Sequence, residues 1–401
     1  MEIEINGGVT APNGFKAAGV HGGLKMNKKD VSLIFSEVPA VAAGVFTTNK
    51  VAAAPVIIDK EQLAKGNKIS AIVCNSGIAN ACTGEQGLKD GWDTIRFTAE
   101  QLNISEDSVL ISSTGVIGKN LFMDRLMKGI SIAVKNLSKD NHTAAAEAIM
   151  TTDTFSKEYA VKFSINDSEI IIGGMAKGSG MIKPNMATML AFITTDALIS
   201  KDLLQESLKI VVNKTFNRIS VDNDTSTNDM VIVLANGLSR VPEIKKDTEE
   251  YGLFLNALEK VCKTLAKMIV KDGEGATKLI EVNIKGAATP EYALKAARAV
   301  ADSYLVKTAI HGADANWGRI IAAVGYSGIE FNPEKVTLKI SGLNILEAGY
   351  KVVFSEKEAK EVLMKNEVKI EVNLHDGVYE ETIWTSDLSK EYITINASYR
   401  S

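Results

Sequence analysis

Segments with strand-like and helix-like patterns follow one another irregularly along this chain of 401 residues, and that order limits the fold more than any other feature. The run Val368-Lys369-Ile370-Glu371-Val372 alternates apolar and charged residues, which is typical of a strand with one face in water. Because strands and helices do not alternate one for one, as they do in a doubly wound fold, the pattern predicts a layered α/β architecture with mixed or antiparallel sheets.

Three amphipathic helices are predicted where apolar residues recur at intervals of three or four. Their apolar positions are Leu126, Ile130, Ala133 and Leu137 in the first helix and Phe254, Leu258, Val261, Leu265 and Ile269 in the second. The third helix begins at Pro290 and runs to about Thr308, since proline is well tolerated in the first turn of a helix.

Short apolar runs rich in β-branched and aromatic residues predict the strands. They cover residues 1–8, 56–58, 71–74, 161–163, 170–172, 230–234, 336–340, 368–374 and 392–395. Alternating strands become more frequent from about residue 282, which predicts a smaller C-terminal lobe.

The charge balance excludes one class of partner. A net charge of -4, from 45 basic and 49 acidic side chains, provides no basic surface of the kind that binds a nucleic-acid backbone. The first residues are acidic and alternating, unlike a secretory signal, and the longest apolar runs, such as 189–193, are far shorter than the roughly 20 residues that span a membrane. We therefore expect a cytoplasmic protein without nucleic-acid or membrane partners.

The cysteines and histidines do not form a recognisable metal or hydrolase motif. Cys74, Cys82 and Cys262 are an odd number and lack the close spacing of zinc ligands, so we expect reduced, buried side chains and no metal. The four histidines are scattered singly, which disfavours a hydrolase built on a Ser/His pair.

The most unusual segment runs from Gly173 to Ile193, where a glycine-rich loop ends in Pro-Asn and Thr188 opens an apolar strand. The order of a phosphate-binding loop is absent, and no nucleophile elbow surrounds Ser179. A flexible connection is one interpretation. Self-cleavage is another, because a strained loop would let the Thr188 hydroxyl attack the carbonyl of Ala187.

Self-cleavage would also supply a catalytic base. Hydrolysis of the resulting ester leaves Thr188 with a free α-amino group, whose pKa of about 7.7–8.0 suits it to activate its own hydroxyl. No catalytic histidine is then needed. Spacing alone does not decide for this interpretation, since threonine-led strands often follow glycine loops.

Several further blocks of sequence fall in a recognisable order. They are VTAPNGF at 9–15, GVFTTNK at 44–50, NSG at 75–77, ANACTG at 79–84, SSTGVIG at 112–118, IMTTDT at 149–154, SVD at 220–222, DTSTND at 224–229, HGAD at 311–314 and NWGRI at 316–320. Together with KGSGMIKPNMATML at 177–190, they resemble the ornithine acetyltransferase family, also called bifunctional glutamate N-acetyltransferase/amino-acid acetyltransferase. The departures are small: Ile78, Asn223 and Ala315 stand where the family more usually has Asn, Gly and Pro.

This resemblance implies a layered α/β sandwich of the DmpA and ornithine acetyltransferase type, cleaved between Ala187 and Thr188. Residues 1–187 would form an alpha chain, and residues 188–401 a beta chain that begins with its nucleophile. The resemblance makes Thr114 and Gly115 the oxyanion hole. It places substrate contacts at Thr151, Lys177, Thr188, Glu274, Asn396 and Ser401.

The implied reaction moves an acetyl group from N-acetylornithine to glutamate through an ester on Thr188. No cofactor is required, although acetyl-CoA is a second potential donor. The family resemblance also implies two alpha and two beta chains in a tetramer. Because N-acetylornithine carries a carboxylate and an ammonium group, Lys177 and Glu274 are the natural partners for its two ends.

Two other classes of function stay open at this stage. Water attack on the same ester would make the chain an N-terminal-nucleophile amidase or aminopeptidase, and a metabolite-binding or scaffold protein would leave the chain uncut. Release of free acetate would identify hydrolysis, and an uncut chain on a denaturing gel would identify the binding or scaffold protein.

Overall fold

Strands and helices cover most of residues 2–165, 168–183 and 189–398, the part of the chain that the computed structural model describes. The described residues divide into two compact units. The first consists of Met1–Asn217 and Asp224–Ile269, and the second of Arg218–Asn223 and Val270–Ser401. Where the sequence predicts a smaller lobe from about residue 282, the second unit starts somewhat earlier and includes one short upstream segment.

The strands are numbered along the chain. They are β1 (Ile3–Ile5), β2 (Phe15–Val20), β3 (Val31–Phe46), β4 (Ile69–Ile78), β5 (Val109–Val116), β6 (Lys157–Ile165), β7 (Ser168–Lys177), β8 (Leu190–Thr195), β9 (Ile219–Ser220), β10 (Met230–Ala235), β11 (Leu279–Ala287), β12 (Thr337–Ile340), β13 (Leu343–Glu347), β14 (Lys351–Val352), β15 (Glu367–Asn373) and β16 (Tyr379–Ser386).

The α-helices are numbered in the same way. They are α1 (Ala54–Ala64), α2 (Gly84–Leu102), α3 (Met123–Lys135), α4 (His142–Ile149), α5 (Lys201–Lys214), α6 (Glu249–Lys271), α7 (Pro290–Asp302), α8 (Tyr304–His311), α9 (Trp317–Gly325), α10 (Glu356–Leu363) and α11 (Lys390–Ala397).

The described strands of the first unit form a mixed sheet in the order β1-β6-β7-β8-β10-β3-β4-β5, with β2 paired to β3. Two neighbouring pairs, β8 with β10 and β4 with β5, are parallel, and the other pairs are antiparallel. Successive residues of a strand point to opposite faces, so Leu33 packs into a core with α2 and α3 while Ile34 packs into another with α4. Helices on both faces confirm the predicted layered α/β class.

The second unit contains a sheet in the order β14-β13-β12-β15-β11-β16-β9. In β15, Val368, Ile370 and Val372 are buried in the core, whereas Lys369 and Glu371 between them are partly exposed. The predicted strand with one wet face is therefore confirmed. Helix α7 covers the core side through Ala293, Ala297 and neighbouring small residues.

The prediction of a strand at 56–58 is wrong, because these residues lie in helix α1. Pro55 occupies the first turn, and strong helix formers follow from Lys60 to Ala64. Val56 and Ile58 are buried, while Ile57 between them is exposed. A run of three apolar residues is too short for its periodicity to separate a strand from a helix.

The strand predicted at 392–395 is also wrong, since these residues lie in helix α11. The Ser389 side chain caps this helix by accepting a hydrogen bond from the backbone N–H of Glu391. The helix predicted after Pro290 is divided in two at Ser303, which ends α7 in an extended conformation. The Ser303 side chain then caps α8 by accepting from the N–H of Val306.

Cys82 departs from the expectation of a buried thiol, whereas Cys74 and Cys262 are buried as predicted. Cys82 is exposed because it lies in the turn before α2, where its φ of 56° places it outside regular structure. Among the described residues, no helix is both long and apolar enough to cross a membrane.

Candidate active site

Thr114 and Gly115 lie at the end of β5, where this strand runs parallel to β4. Thr114 is buried, and Gly115 is in register with Gly77 of β4. Gly115 has a φ of +132°, and a Cβ atom on it would lie 2.2 Å from the carbonyl carbon of Gly77. Glycine is therefore required here both by the backbone conformation and by the close approach of the two strands.

Polar side chains hold these two strand ends in place. The Asn228 amide donates to the carbonyl oxygens of Ala79 and Ser113, at 2.6 and 2.8 Å. The Ser113 hydroxyl donates to Asn75, whose amide in turn donates to the carbonyl of Ile78. The Ile78 side chain is buried in the apolar core, so this departure from the family pattern contributes packing rather than a polar group.

Lys177 and Thr151, two of the residues singled out from the sequence, are brought together in the first unit. The Lys177 ammonium donates to the Thr151 hydroxyl at 2.9 Å, and Lys177 is buried. Antiparallel pairing of β7 and β8 sets Lys177 opposite Leu190. Lys177 therefore lies beside the strand that begins two residues after Thr188.

The carboxylate of Asp153 organises this site, although the sequence alone gave it no role. It accepts from the backbone N–H groups of Thr151 and Gly178 and from the Lys157 ammonium, at 2.9, 2.8 and 2.7 Å. The Lys177 ammonium is 4.0 Å away. Although burial by itself raises the pKa of Asp153, the positive charges of Lys177 and Lys157 more than offset it and hold that pKa below its usual range.

Two ammonium groups, those of Lys157 and Lys177, lie near the one carboxylate of Asp153 in this cluster. Because all three groups are buried, their charges are poorly screened by water. A buried ammonium group beside a hydroxyl group, as in Lys177 and Thr151, is suited to bind a carboxylate. The sequence gave little indication of this cluster, since the motif IMTTDT contains Asp153 but does not show which residues pair with it.

The chain after Thr188 is fixed from its first described residue. The Met189 carbonyl accepts from the N–H of Met230, and the Met189 N–H donates to the carboxyl group of Asp229. Burial raises the pKa of Asp229 well above its usual range, and Oδ2 has no hydrogen-bond partner within the described ranges. The predicted cleavage site itself, Ala187 and Thr188, lies outside the described residues.

The second unit brings together Glu274 and Asn396, which were also singled out from the sequence. The Asn396 amide donates to Glu274 Oε2 at 2.7 Å and to the Tyr392 carbonyl at 3.0 Å. Glu274 is buried, and among the described residues the side chain that donates to it is a neutral amide, an arrangement suited to a cationic ligand. Ser401, the last predicted contact, lies outside the described residues.

The turn after Glu274 is tightly constrained. Gly275 has a φ of +69°, and a Cβ atom on it would lie 2.6 Å from the backbone nitrogen of Tyr392. The buried Asp387 carboxylate accepts from the N–H groups of Thr277 and Lys278, both at 2.8 Å. These contacts hold Glu274 next to helix α11. Among the described residues, no group of three His, Cys, Asp or Glu side chains is arranged to hold a metal ion.

Comparisons with known proteins agree over the length of the chain. The sequence profile of the ArgJ family matches residues 16–401. The "Arginine biosynthesis bifunctional protein ArgJ" of Caldanaerobacter subterraneus subsp. tengcongensis is 52% identical over 405 residues, and the protein of that name from Listeria monocytogenes is 48% identical over 401 residues. Both alignments cover 100% of each chain.

One solved structure is similar to part of the chain. The crystal structure of the arginine biosynthesis bifunctional protein argJ from Bacillus halodurans has a TM-score of 0.51 and 49% sequence identity. The match covers 52% of this chain and 98% of the solved one. The solved chain is therefore about half as long as this one.

Proposed function

Since the chain belongs to the ArgJ family, we propose that it transfers the acetyl group of N-acetylornithine to glutamate, giving ornithine and N-acetylglutamate in arginine biosynthesis. The observation that carries the proposal is the hydrogen bond from the buried Lys177 to the half-buried Thr151, beside the strand that follows Thr188. We infer that this pair binds an anion, and Lys177 lies opposite Leu190, two positions after the candidate nucleophile in the sequence. The family resemblance adds acetyl-CoA as a second donor to be tested.

The proposed nucleophile is Thr188, freed when its hydroxyl attacks the Ala187 carbonyl and water hydrolyses the ester. The products are an alpha chain of residues 1–187 and a beta chain of residues 188–401. The Bacillus halodurans chain supports this division, because a solved chain of about half this length is expected of one fragment of a self-cleaved family member. The α-amino group of Thr188 then serves as base for its own hydroxyl.

The family resemblance assigns a partner to each end of the donor, and within each unit the structure brings two of the assigned residues together. Lys177 and Thr151 would hold the carboxylate common to N-acetylornithine and glutamate, while Glu274 and Asn396, with Ser401, would hold the side-chain ammonium of ornithine. In each case the protein supplies the charge opposite to that of its ligand. Lys177 and Glu274 are both buried, so their charges are poorly screened by water.

Transfer of the acetyl group proceeds in two steps. The Thr188 oxygen attacks the acetyl carbonyl, its proton passes through the α-amine to the leaving nitrogen, and ornithine departs as the amine. The glutamate amine then attacks the Thr188 ester, the C–O bond breaks, and the hydroxyl regains a proton. Thr114 and Gly115 would bind the oxyanion in both steps, and one such donor is typically worth about 2.7–4 kcal/mol.

Hydrolysis is the second candidate reaction, because water attack on the same ester would make the chain an amidase or aminopeptidase. The observation that favours transfer is the buried lysine site, which can retain a carboxylate-bearing acceptor at the acyl group. Our proposal includes an assembly of two alpha and two beta chains, carried over from the family resemblance, and a cytoplasmic location, expected from the sequence.

The test is to compare wild type, Thr188→Ala and Thr188→Ser. Wild type should give two bands of similar size on a denaturing gel and should form N-acetylglutamate from N-acetylornithine and glutamate. Thr188→Ala should remain one uncut chain without transfer, whereas Thr188→Ser should retain part of both activities, since it keeps a hydroxyl. Free acetate in place of N-acetylglutamate would establish hydrolysis, and an active, uncut wild type would exclude Thr188 as an N-terminal nucleophile.

A further inference from the structure

Lys25 lies in the loop between β2 and β3, and its backbone is held by a buried carboxylate. Asp30, which is fully buried, accepts hydrogen bonds from the N–H groups of Gly23, Leu24 and Lys25 at 3.1, 2.7 and 2.9 Å. The carbonyl of Asp30 also accepts from the N–H of Ser76 in β4. The loop is thereby fixed to the strand that carries Gly77.

The Lys25 side chain connects this strand to the segment that contains Thr151. Its stem lies against Gly77, since a Cβ atom there would be 3.1 Å from Lys25 Cγ. Its ammonium donates to the carbonyl of Met150 at 2.9 Å. Met150 is the C-cap of α4, where carbonyl groups lack helical partners and a cation is favourable.

The next residue after Met150 is Thr151, whose hydroxyl accepts from Lys177. A hydrogen bond to the Met150 carbonyl therefore orients the peptide group that positions the Thr151 side chain. We propose that Lys25 is a positioning residue of the acetyl-transfer site, which holds Thr151 and, through it, Lys177 in place to bind the substrate carboxylate. This inference rests on the proposed function, because it concerns the same site.

The surroundings of Lys25 partly remove its ammonium group from water. Burial lowers the pKa of Lys25 to about 8, against the raising effect of Asp30. The other charged or titratable groups that act on it are Lys28, Cys74 and Asp153. Charge-assisted hydrogen bonds are roughly twice as strong as neutral ones, so this contact can constrain a loop.

The experiment compares Lys25→Met, Lys25→Gln and Lys25→Arg with wild type and with the control Lys28→Met. Methionine keeps the stem against Gly77 but removes the donor, glutamine keeps a neutral donor, and arginine keeps the charge. Lys28 is exposed in the same loop, so its substitution removes an equal charge nearby without touching Met150. Steady-state transfer is measured with both substrates, and a thermal melt records whether each variant folds.

Lys25→Met should raise KM for both N-acetylornithine and glutamate by about tenfold or more, the scale of one lost charge-assisted hydrogen bond, with a smaller change in kcat. Lys25→Arg should recover most of this loss and Lys25→Gln little, while Lys28→Met stays within about twofold of wild type. A role in folding alone would lower the melting temperature without this rescue by charge. If Lys25→Met does not fold, the arginine and glutamine variants decide the question.

Three results would overturn the assignment of Lys25. They are an unchanged KM in Lys25→Met, a loss confined to kcat, and equal activity of the arginine and glutamine variants. In each case an active wild type leaves the proposed function intact. Absence of acetyl transfer by wild type itself would overturn the proposed function and the Lys25 assignment together.

Discussion

Each unit of the molecule contains a fully buried lysine, but the two ammonium groups contact different kinds of partner. In the first unit, the fully buried Lys157 ammonium contacts the Asp153 carboxylate at 2.7 Å. In the second unit, the equally buried Lys307 ammonium donates to the hydroxyl groups of Thr385 and Ser386, at 2.8 and 3.4 Å. Among the described residues, no carboxylate lies within ion-pair distance of Lys307.

The two sites differ in the group whose pKa is shifted. Burial outweighs the more distant attraction of Asp302, Asp222 and Asp387 and lowers the pKa of Lys307 to about 8. In the first unit, the lysines instead hold the pKa of Asp153 below its usual range. Burial of an ammonium group therefore lowers the pKa of the lysine where only hydroxyl groups contact it, as at Lys307, whereas the lysines around Asp153 lower the pKa of the carboxyl group that they contact.

The largest effect is expected from Lys157→Met, which leaves the Asp153 carboxylate buried with one ammonium partner fewer. Breaking a buried ion pair in this way typically costs about 3–5 kcal/mol, and we expect the free energy of unfolding to fall by an amount of that order. Denaturant unfolding followed by circular dichroism measures it.

The matched control is the double variant Lys157→Met with Asp153→Asn, which removes both charges. It should recover part of the lost stability, because an amide costs less to bury than an unpaired carboxylate. A loss of less than about 1 kcal/mol in the single variant would show that Lys177 and the backbone donors are enough to hold Asp153.

A smaller effect is expected from pH. Lys307 has a pKa of about 8 in the folded chain and 10.5 as its ordinary value, so between these values the unfolded chain binds more protons. Stability should therefore rise as the pH increases from 8 to 10.5, by roughly 3 kcal/mol at most. The pKa of Asp153 is also lowered, so stability again rises with pH, but in the acid range: its stabilisation is lost only as the pH falls below the ordinary aspartate pKa of about 3.9.

Unfolding of wild type and Lys307→Met across pH 7–10.5 isolates this contribution, since all other groups titrate in both proteins. The difference in stability between them should shift in favour of wild type as Lys307 loses its proton. Parallel profiles would mean that the ammonium group of Lys307 is stabilised in the fold after all.

The smallest effect is expected from Lys307→Met at neutral pH, which should change the free energy of unfolding by no more than about 1 kcal/mol. The substitution removes a hydrogen bond but also the cost of burying a charge, and the Thr385 hydroxyl keeps its bond to the Ala301 carbonyl. A calorimetric or denaturant measurement beside Lys157→Met gives the comparison directly. Equal losses in the two variants would contradict the distinction drawn here between the units.

Much of the fold could be predicted from local pattern. The alternation in β15 and the apolar face of α6 were predicted correctly, because each depends on a period that a single element carries within itself. The errors fell on short segments, 56–58 and 392–395, where β-branched residues indicate a strand but capping and the absence of sheet partners favour a helix.

For the candidate site, the sequence by itself determined which chemical groups are available, including a threonine after a glycine loop, Lys177 and Glu274. Only the tertiary structure decided that Thr151 meets Lys177, that Asp153 lies between two lysines and that Lys25 reaches Met150. The physical reason is that burial and ion pairing depend on residues distant in the chain. Lys25 and Met150, for instance, are 125 positions apart, and no local period relates them.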